Sequence, residues 1–219
     1  MIPVFNEGAV LNTVISHLSI YSYKIIIVDD GSDKVVNPVL GYRNVYFLRH
    51  KVNLGQGAAL QTGIEFALSK GAEHIVTFDA DGQHMASDVE KLLQELKNNT
   101  VDIVMGSRFL AEASHNMPRA RKIMIKVARY INFFFTGLLL TDAHNGLRAF
   151  NKKAASAICI TENRMAHATE ILSIIKKKKL RYREVPVCIE YSSYSLKKGQ
   201  TLWSSFRVFL DLLLYKIFR

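Results

Sequence analysis

The chain has 219 residues, enough for one domain or one domain with a short appendage. Apolar residues make up 49%, which excludes wholesale disorder. The net charge of +10 is uneven, with 8 basic and 11 acidic groups in residues 1–100 against 21 and 8 in residues 101–219; such a basic half points to an anionic partner, whether nucleic acid, membrane surface or phosphate.

Only Ile2–Val4 precede the Asn6-Glu7 turn, so a short first strand is expected, with the chain starting inside it. No secretory signal is read at the start. Lys24–Val28 (KIIIV) is a continuous apolar run, the pattern of a strand buried on both faces. Val45–Leu48, His74–Phe78 and Asp102–Met105 read as further strands. Helical patterns at Glu7–Leu18, Gly55–Lys70 and Asp88–Leu96 alternate with them, the last with Ser87 as its expected N-cap. This alternation predicts an α/β fold, a mostly parallel sheet with helices on both faces. Ligands then bind beyond the carboxyl ends of the strands.

The second half is less regular. Pro118–Leu140 opens with Arg119, Arg121, Lys122, Lys126 and Arg129, then turns aromatic and aliphatic. Its apolar end, Ile131–Leu140, contains Asn132, Thr136 and Gly137 and is too short for an ordinary spanning helix. Ala154–Ile158 and Ala166–Lys177 read as helices, and Leu180–Glu184 and Val187–Tyr191 as strands around Pro186. Gln200–Phe218 is strongly amphipathic, with Trp203, Phe206, Leu210, Leu213, Leu214 and Ile217 on one face. Cys159 and Cys188 stand among apolar neighbours and are expected to be buried free thiols of a reducing compartment.

Chemistry concentrates at predicted strand ends. Asp29-Asp30-Gly31-Ser32 follows KIIIV, Asp79-Ala80-Asp81-Gly82-Gln83-His84 follows HIVTF, and Asn6-Glu7 follows the first strand. Clustered carboxylates repel unless a cation or ligand compensates them. Mg²⁺ takes one or two carboxylates together with substrate phosphate oxygens. Asp81 on such a metal, with Asp79 on the metal or a ribose, fits that chemistry. A single Asp-x-Asp is common by chance, and Asp-Gly-Ser is often only a turn. The Asp79–Gly82 stretch lacks the remaining ligands of a calcium loop, and Asn53-Leu54-Gly55-Gln56-Gly57 lacks the Lys-Ser/Thr of a P-loop. Its glycines either admit a ligand close to the backbone or make a tight turn into the helix. Of the seven histidines, His84 is the functional candidate, while His50, His74 and His17 are expected to be structural.

Taken together and in order, Ile2–Glu7 (IPVFNE), Val28–Ser32 (VDDGS), Asn53–Leu60 (NLGQGAAL) and Phe78–His84 (FDADGQH) resemble the family 2 glycosyltransferases of the GT-A fold. The resemblance continues through Gly106–Arg108, Thr141–Phe150 (TDAHNGLRAF) and Glu184–Val187 (EVPV), over nearly the whole chain. Within the family the chain is most similar to polyprenyl-phosphate glycosyltransferases of the dolichol-phosphate mannose synthase kind. It also resembles small bacterial relatives in its Tyr191–Gln200 stretch. The resemblance implies a GT-A domain over 1–199. From its basic and aromatic residues the 118–140 region within it reads as an interfacial helix or as a core helix with a solvated basic end, and 200–219 as a separate amphipathic helix that meets a membrane or packs against the domain or a partner. The resemblance also implies that Pro3, Phe5, Glu7, Asp30, Gly57 and Asp79 hold the nucleotide-sugar, and that Asp79, Asp81 and Gln83 hold Mg²⁺ or Mn²⁺ and the diphosphate. Asp142 then lies near the reaction centre, and Arg108 and Arg121, with Lys197 or Lys198, orient an acceptor phosphate.

The expected activity is inverting transfer of a sugar from a UDP- or GDP-sugar to a polyprenyl phosphate. The expected location is the cytoplasmic face of the membrane, by peripheral attachment. A phosphate monoester has a second pKa near about 6 and needs orientation by Arg and Lys more than deprotonation. A sugar hydroxyl would need a general base, for which Glu170 and Asp142 are the candidates. Transfer to a hydroxyl of a cell-surface glycan is therefore the alternative, and an inactive scaffold a further one. A small membrane partner or a homo-oligomer is compatible with the basic, aromatic segments. Nucleic acid is not expected, since no RNP, helix-turn-helix or finger pattern accompanies the charge.

Overall fold

The computed structural model describes residues 1–34, 44–98, 100–110 and 119–191. The helix expected at 200–219, Lys197 and Lys198 lie outside the described residues. The strands are β1 (Ile2–Val4), β2 (Ile25–Asp29), β3 (Val45–Arg49), β4 (His74–Thr77), β5 (Ile103–Ser107), β6 (Arg148–Asn151) and β7 (Tyr182–Pro186). The helices are α1 (Gly8–Ser19), α2 (Gln56–Ser69), α3 (Ala86–Lys97), α4 (Arg119–Thr136), α5 (Lys152–Ala157) and α6 (His167–Lys177).

β1, β2 and β3 pair in parallel, in the order β1-β2-β3. A second ladder runs β4-β6-β5-β7, with β6 antiparallel to both neighbours and β5 parallel to β7. Met1 joins the two: its nitrogen donates to Val76 O at 2.6 Å and its carbonyl accepts from Phe78 N at 3.0 Å. The KIIIV run behaves as its pattern requires. Ile26 and Val28 enter one apolar cluster, with α2, α5 and α6 residues. Ile25 and Ile27 enter the other, with α1 and α3 residues. Every residue of β2 is buried, which is the cost-free state only for a strand covered on both faces.

Asp102, buried just before β5, ties three elements together. It accepts hydrogen bonds from Arg181 N at 2.9 Å, Asn151 Nδ2 at 3.2 Å and Lys153 Nζ at 3.3 Å. These bonds outweigh the opposing effect of burial and hold its carboxyl well below the usual carboxylate range.

Several expectations are corrected. Ser87 is not the N-cap of α3: the helix starts at Ala86 with Met85 as cap, and Ser87 is in its first turn. Asp88 closes this region instead, its carboxylate accepting from Cys188 N at 2.8 Å and pairing with Lys91 at 2.6 Å. The strand expected at Val187–Tyr191 reduces to a single bridge, Ile189 to His84. Pro186 ends β7 on the outer edge of the sheet, where a missing N–H breaks no inner ladder. Neither cysteine is buried: Cys159 is exposed and Cys188 half-buried. Apolar neighbours in sequence did not place Cys159 inside, because the extended segment after α5 alternates, with Ile158 and Ile160 buried and Cys159 between them facing out.

Candidate active site

The carboxyl ends of β1, β2, β4 and β5 open onto one cavity of about 450 Å³. Pro3, Phe5, Glu7 and Asp30 line it from β1 and β2. Asp79, Asp81, Gln83 and His84 line it from the loop after β4, and Arg108 from the end of β5. The order of strands thus brings together residues that the sequence scatters over four motifs.

Asp30 fixes the glycine loop. Its Oδ1 accepts from Leu54 N at 3.0 Å and lies 2.7 Å from His50 Nδ1, and its Oδ2 accepts from Gly55 N at 2.6 Å. His50 reaches on to Thr62 Oγ1 at 2.9 Å. Gly55 has φ +112°, and a Cβ there would stand 2.2 Å from Asn163 O, so the position needs glycine on both counts.

Gly57 has a different place from the one expected. It packs against the Glu162–Asn163 backbone, its N–H donating to Asn163 O at 2.8 Å, and does not line the cavity. Its close approach is to protein, not ligand; Asn53, Gly55 and Gln56 are the residues of this loop that line the cavity, and Gln56 Nε2 donates to Asp79 Oδ1 at 3.3 Å. Glu170 is also not brought to the cavity. Its carboxylate accepts from Thr161 N and Glu162 N at 3.0 and 2.9 Å and so ties down the loop ahead of α6. Arg121 falls on α4, and its side chain is outside what the structure describes.

The two carboxylates of Asp-x-Asp titrate in opposite directions. Burial pulls Asp79 up, but the His84 hydrogen bond at 3.3 Å and the charges of His84, His167 and Arg148 outweigh it, leaving its pKa below the ordinary value. Burial and then the neighbouring Asp79 charge push Asp81 up. Asp81 Oδ1 accepts from Gln83 N at 3.0 Å, which orients it. Asp81 is thus a carboxylate whose ionised form its surroundings disfavour. Among the described residues no cluster of three or more His, Cys, Asp or Glu could hold a metal alone. The donor set fits a hard cation that completes its shell with ligand phosphates, with Asp81 and Asp79 as protein ligands.

A second charged group adjoins the first. Arg108 donates from Nε to Asp142 Oδ2 at 2.6 Å, and its backbone N–H donates to the same oxygen at 3.1 Å. Arg108 Nη1 also donates to Tyr191 OH at 3.1 Å. Asp142 is buried, and its Oδ1 accepts no hydrogen bond. Glu184 of β7 holds the segment in place, accepting from Thr141 N at 2.9 Å and Asp142 N at 3.0 Å. Arg148 donates to Asn145 O and Ala143 O, both at 3.0 Å, and burial lowers its pKa to about 10. The D-x-x-x-G-x-R segment was readable, but only its Asp was assigned. Gly146 turns out to line the cavity against Asp79, and the buried Arg148 acts on Asp79 through its charge. His144 and Met165 also line it, and nothing in their local sequence signals that.

His167 lies beneath the glycine loop, its Nδ1 donating to Arg164 O at 2.6 Å. Burial lowers its pKa to about 4 from an ordinary 6.5. Between those values the unfolded chain takes up a proton that the native state refuses, so stability falls as the pH drops through this window. The expected loss is on the order of 3 kcal/mol by pH 4. Urea unfolding of His167→Gln between pH 7 and 4.5 should show a shallower acid limb than the parent, and an equally steep one would refute the assignment.

Residues 1–159 match the family described as glycosyl transferase family 2. The chain is 34% identical over 222 residues to uncharacterized protein MJ1222 of Methanocaldococcus jannaschii, covering 100% of this chain and 91% of that protein. It is 33% identical over 238 residues to a UDP-N-acetylglucosamine–dolichyl-phosphate N-acetylglucosaminyltransferase of Methanococcus voltae, covering 99% of this chain and 95% of that one. Among solved structures, glucosyl-3-phosphoglycerate synthase of Mycobacterium tuberculosis in complex with Mn²⁺, UDP and phosphoglyceric acid superposes with a TM-score of 0.72. That match covers 97% of this chain and 74% of the other at 14% identity, and so speaks for the shared GT-A fold alone. With carboxylates and glycine loop gathered at the strand ends as the motifs required, the chain belongs to glycosyl transferase family 2.

Proposed function

We propose that the protein transfers a sugar, with inversion, from a UDP-sugar to a polyprenyl phosphate at the inner face of a membrane. The observation that carries the chemistry is the gathering of Asp79, Asp81 and Arg108 around one cavity, with Asp142 bonded directly to Arg108. The Methanococcus voltae relative, whose name includes a UDP-sugar and dolichyl phosphate, supports the substrate classes.

Pro3, Phe5, Glu7 and Asp30 are assigned to the nucleoside, and Asp79, Asp81 and Gln83 to the diphosphate side. Mg²⁺ or Mn²⁺ held by Asp81 and Asp79 would neutralise charge developing on the departing diphosphate. Arg108 orients the acceptor phosphate toward the anomeric carbon. A phosphate oxygen forms the new bond as the bond to the nucleotide diphosphate breaks. Because the acceptor is already anionic at neutral pH, no protein group has to remove a proton from it. Asp142 keeps Arg108 fixed, so that the guanidinium meets the phosphate without first being ordered.

Transfer to a sugar hydroxyl is the second reading, favoured by the unpartnered Oδ1 of Asp142, the one candidate base that adjoins the cavity. One experiment separates the two. Titration calorimetry against UDP- and GDP-sugars with Mn²⁺ identifies the donor, and the bound donor is then offered a short-chain prenyl phosphate or a glycan acceptor. The expected result is a prenyl-phosphate-sugar. Product on the glycan alone overturns the phosphate acceptor, and failure to bind any nucleotide-sugar favours an inactive scaffold.

A further inference from the structure

α4 packs along α6 and leaves a long apolar stripe on its outer side. Ile123, Val127, Tyr130 and Phe134 recur at helical spacing and are 64%, 53%, 62% and 71% exposed. Lys122 and Lys126 are exposed on the same helix. A row of large apolar side chains in water marks a contact surface. Among the described residues, no helix is long and apolar enough to cross a membrane.

The tertiary structure adds a second element to this face. The end of α6 arrives beside the end of α4: a Cβ on Gly137 would lie 3.7 Å from Lys176 Cε. Lys176, Lys177, Lys178 and Lys179 are all exposed. Among the described residues, no ion pair joins any of them to a carboxylate. The aromatic end of the stripe is therefore bordered by uncompensated positive charge contributed from a distant part of the chain.

We propose that the α4 stripe and Lys176–Lys179 form one docking face for a bilayer carrying anionic lipid, which fixes how the protein sits on the membrane. The inference rests on the membrane attachment proposed above and names its charged contact. Charge complementarity selects the occupant. Lysines near an anionic bilayer surface are drawn to it electrostatically, and the aromatic side chains enter the headgroup boundary. Lysine is depleted in interfaces between proteins, where its hydrated ammonium must be stripped of water. Residues 137–141 lead from this face to Asp142, which is bonded to Arg108.

The test is co-sedimentation of the full chain with phosphatidylcholine vesicles, with and without roughly 30 mol% phosphatidylglycerol. The parent should bind the anionic vesicles roughly tenfold or more tightly than the neutral ones, with the difference shrinking as salt is added. Lys176→Gln, Lys177→Gln, Lys178→Gln and Lys179→Gln together should remove most of that preference. Phe134→Ser should weaken binding to both kinds of vesicle. Unchanged anionic binding in the quadruple variant, or no vesicle binding by the parent, overturns the proposal. So does a Phe134→Ser effect confined to the sedimentation mass of a self-associated species, which would make the face an interface between copies. Turnover on a water-soluble short-chain prenyl phosphate without vesicles should be equal in parent and quadruple variant. Its loss in the variant places the lysines in the acceptor site and overturns this reading, whereas its absence in the parent counts against the proposed chemistry alone.

Discussion

Asp81→Asn should reduce turnover by roughly 10³-fold and at the same time leave the protein slightly more stable. The two effects have one cause. Burial and the Asp79 charge push the Asp81 carboxyl up, which means that the folded state binds its proton better than the unfolded chain does. At neutral pH the ionised group therefore works against folding, and the isosteric amide removes that penalty. A rise in melting temperature is expected. The same substitution removes an anion of the cavity whose surroundings favour its neutral form. Mn²⁺ with nucleotide should accordingly raise the melting temperature of the parent and not of the variant, because a ligand stabilises only the state that binds it. Thermal melts with and without Mn²⁺ and a product assay check all three results. Near-parental turnover in Asp81→Asn would remove the residue from the mechanism.

Gly146→Ala should be nearly as damaging although it adds a single methyl group. Gly146 does not have the positive φ that demands glycine, so its backbone accepts alanine. The obstacle is Asp79: a Cβ at Gly146 would stand 2.0 Å from Asp79 Oδ2 and 2.6 Å from its Cγ. Gly146 O is itself held by Thr77 Oγ1 at 2.7 Å, so the loop is anchored to β4 and Asp79 must yield. Displacing the carboxylate by about 1 Å costs on the order of 10²-fold in catalytic efficiency, and overpacking costs about 1–3 kcal/mol in stability. A double-mutant cycle isolates the cause. In an Asp79→Ala background the methyl group has room, and Gly146→Ala should then add little further loss. Additive losses would show that Gly146 acts through something other than Asp79.

The elements that were legible in sequence share a local origin. KIIIV and HIVTF announce buried strands by continuous apolar runs, and the Asp-containing turns follow within one or two residues. The β1 stub is as short as read, three residues, and the four other strands read in the first half form within two residues of their expected limits. The errors are equally instructive. Gly57 was read with its motif toward a ligand, but the loop before α6 crosses it and takes up the space its missing side chain leaves. Glu170 was read as a possible base because an acidic residue on a helix carries no local sign of its partner, which proves to be the backbone of Thr161 and Glu162.

By itself the sequence determined the alternation of strands and helices, the placing of Asp30, Asp79 and Asp81 at strand ends, and the separation of an acidic first half from a basic second half. Each of these depends on periodicity, turn chemistry or composition, which act over a few residues or need no geometry at all. The tertiary structure alone decided that Gly146 backs Asp79, that Glu184 holds the segment carrying Asp142, and that Lys176 closes the end of α4. These depend on β6 entering antiparallel between β4 and β5, and on α6 lying along α4. Strand order and helix packing are settled by burial across the whole domain, so no local pattern encodes them.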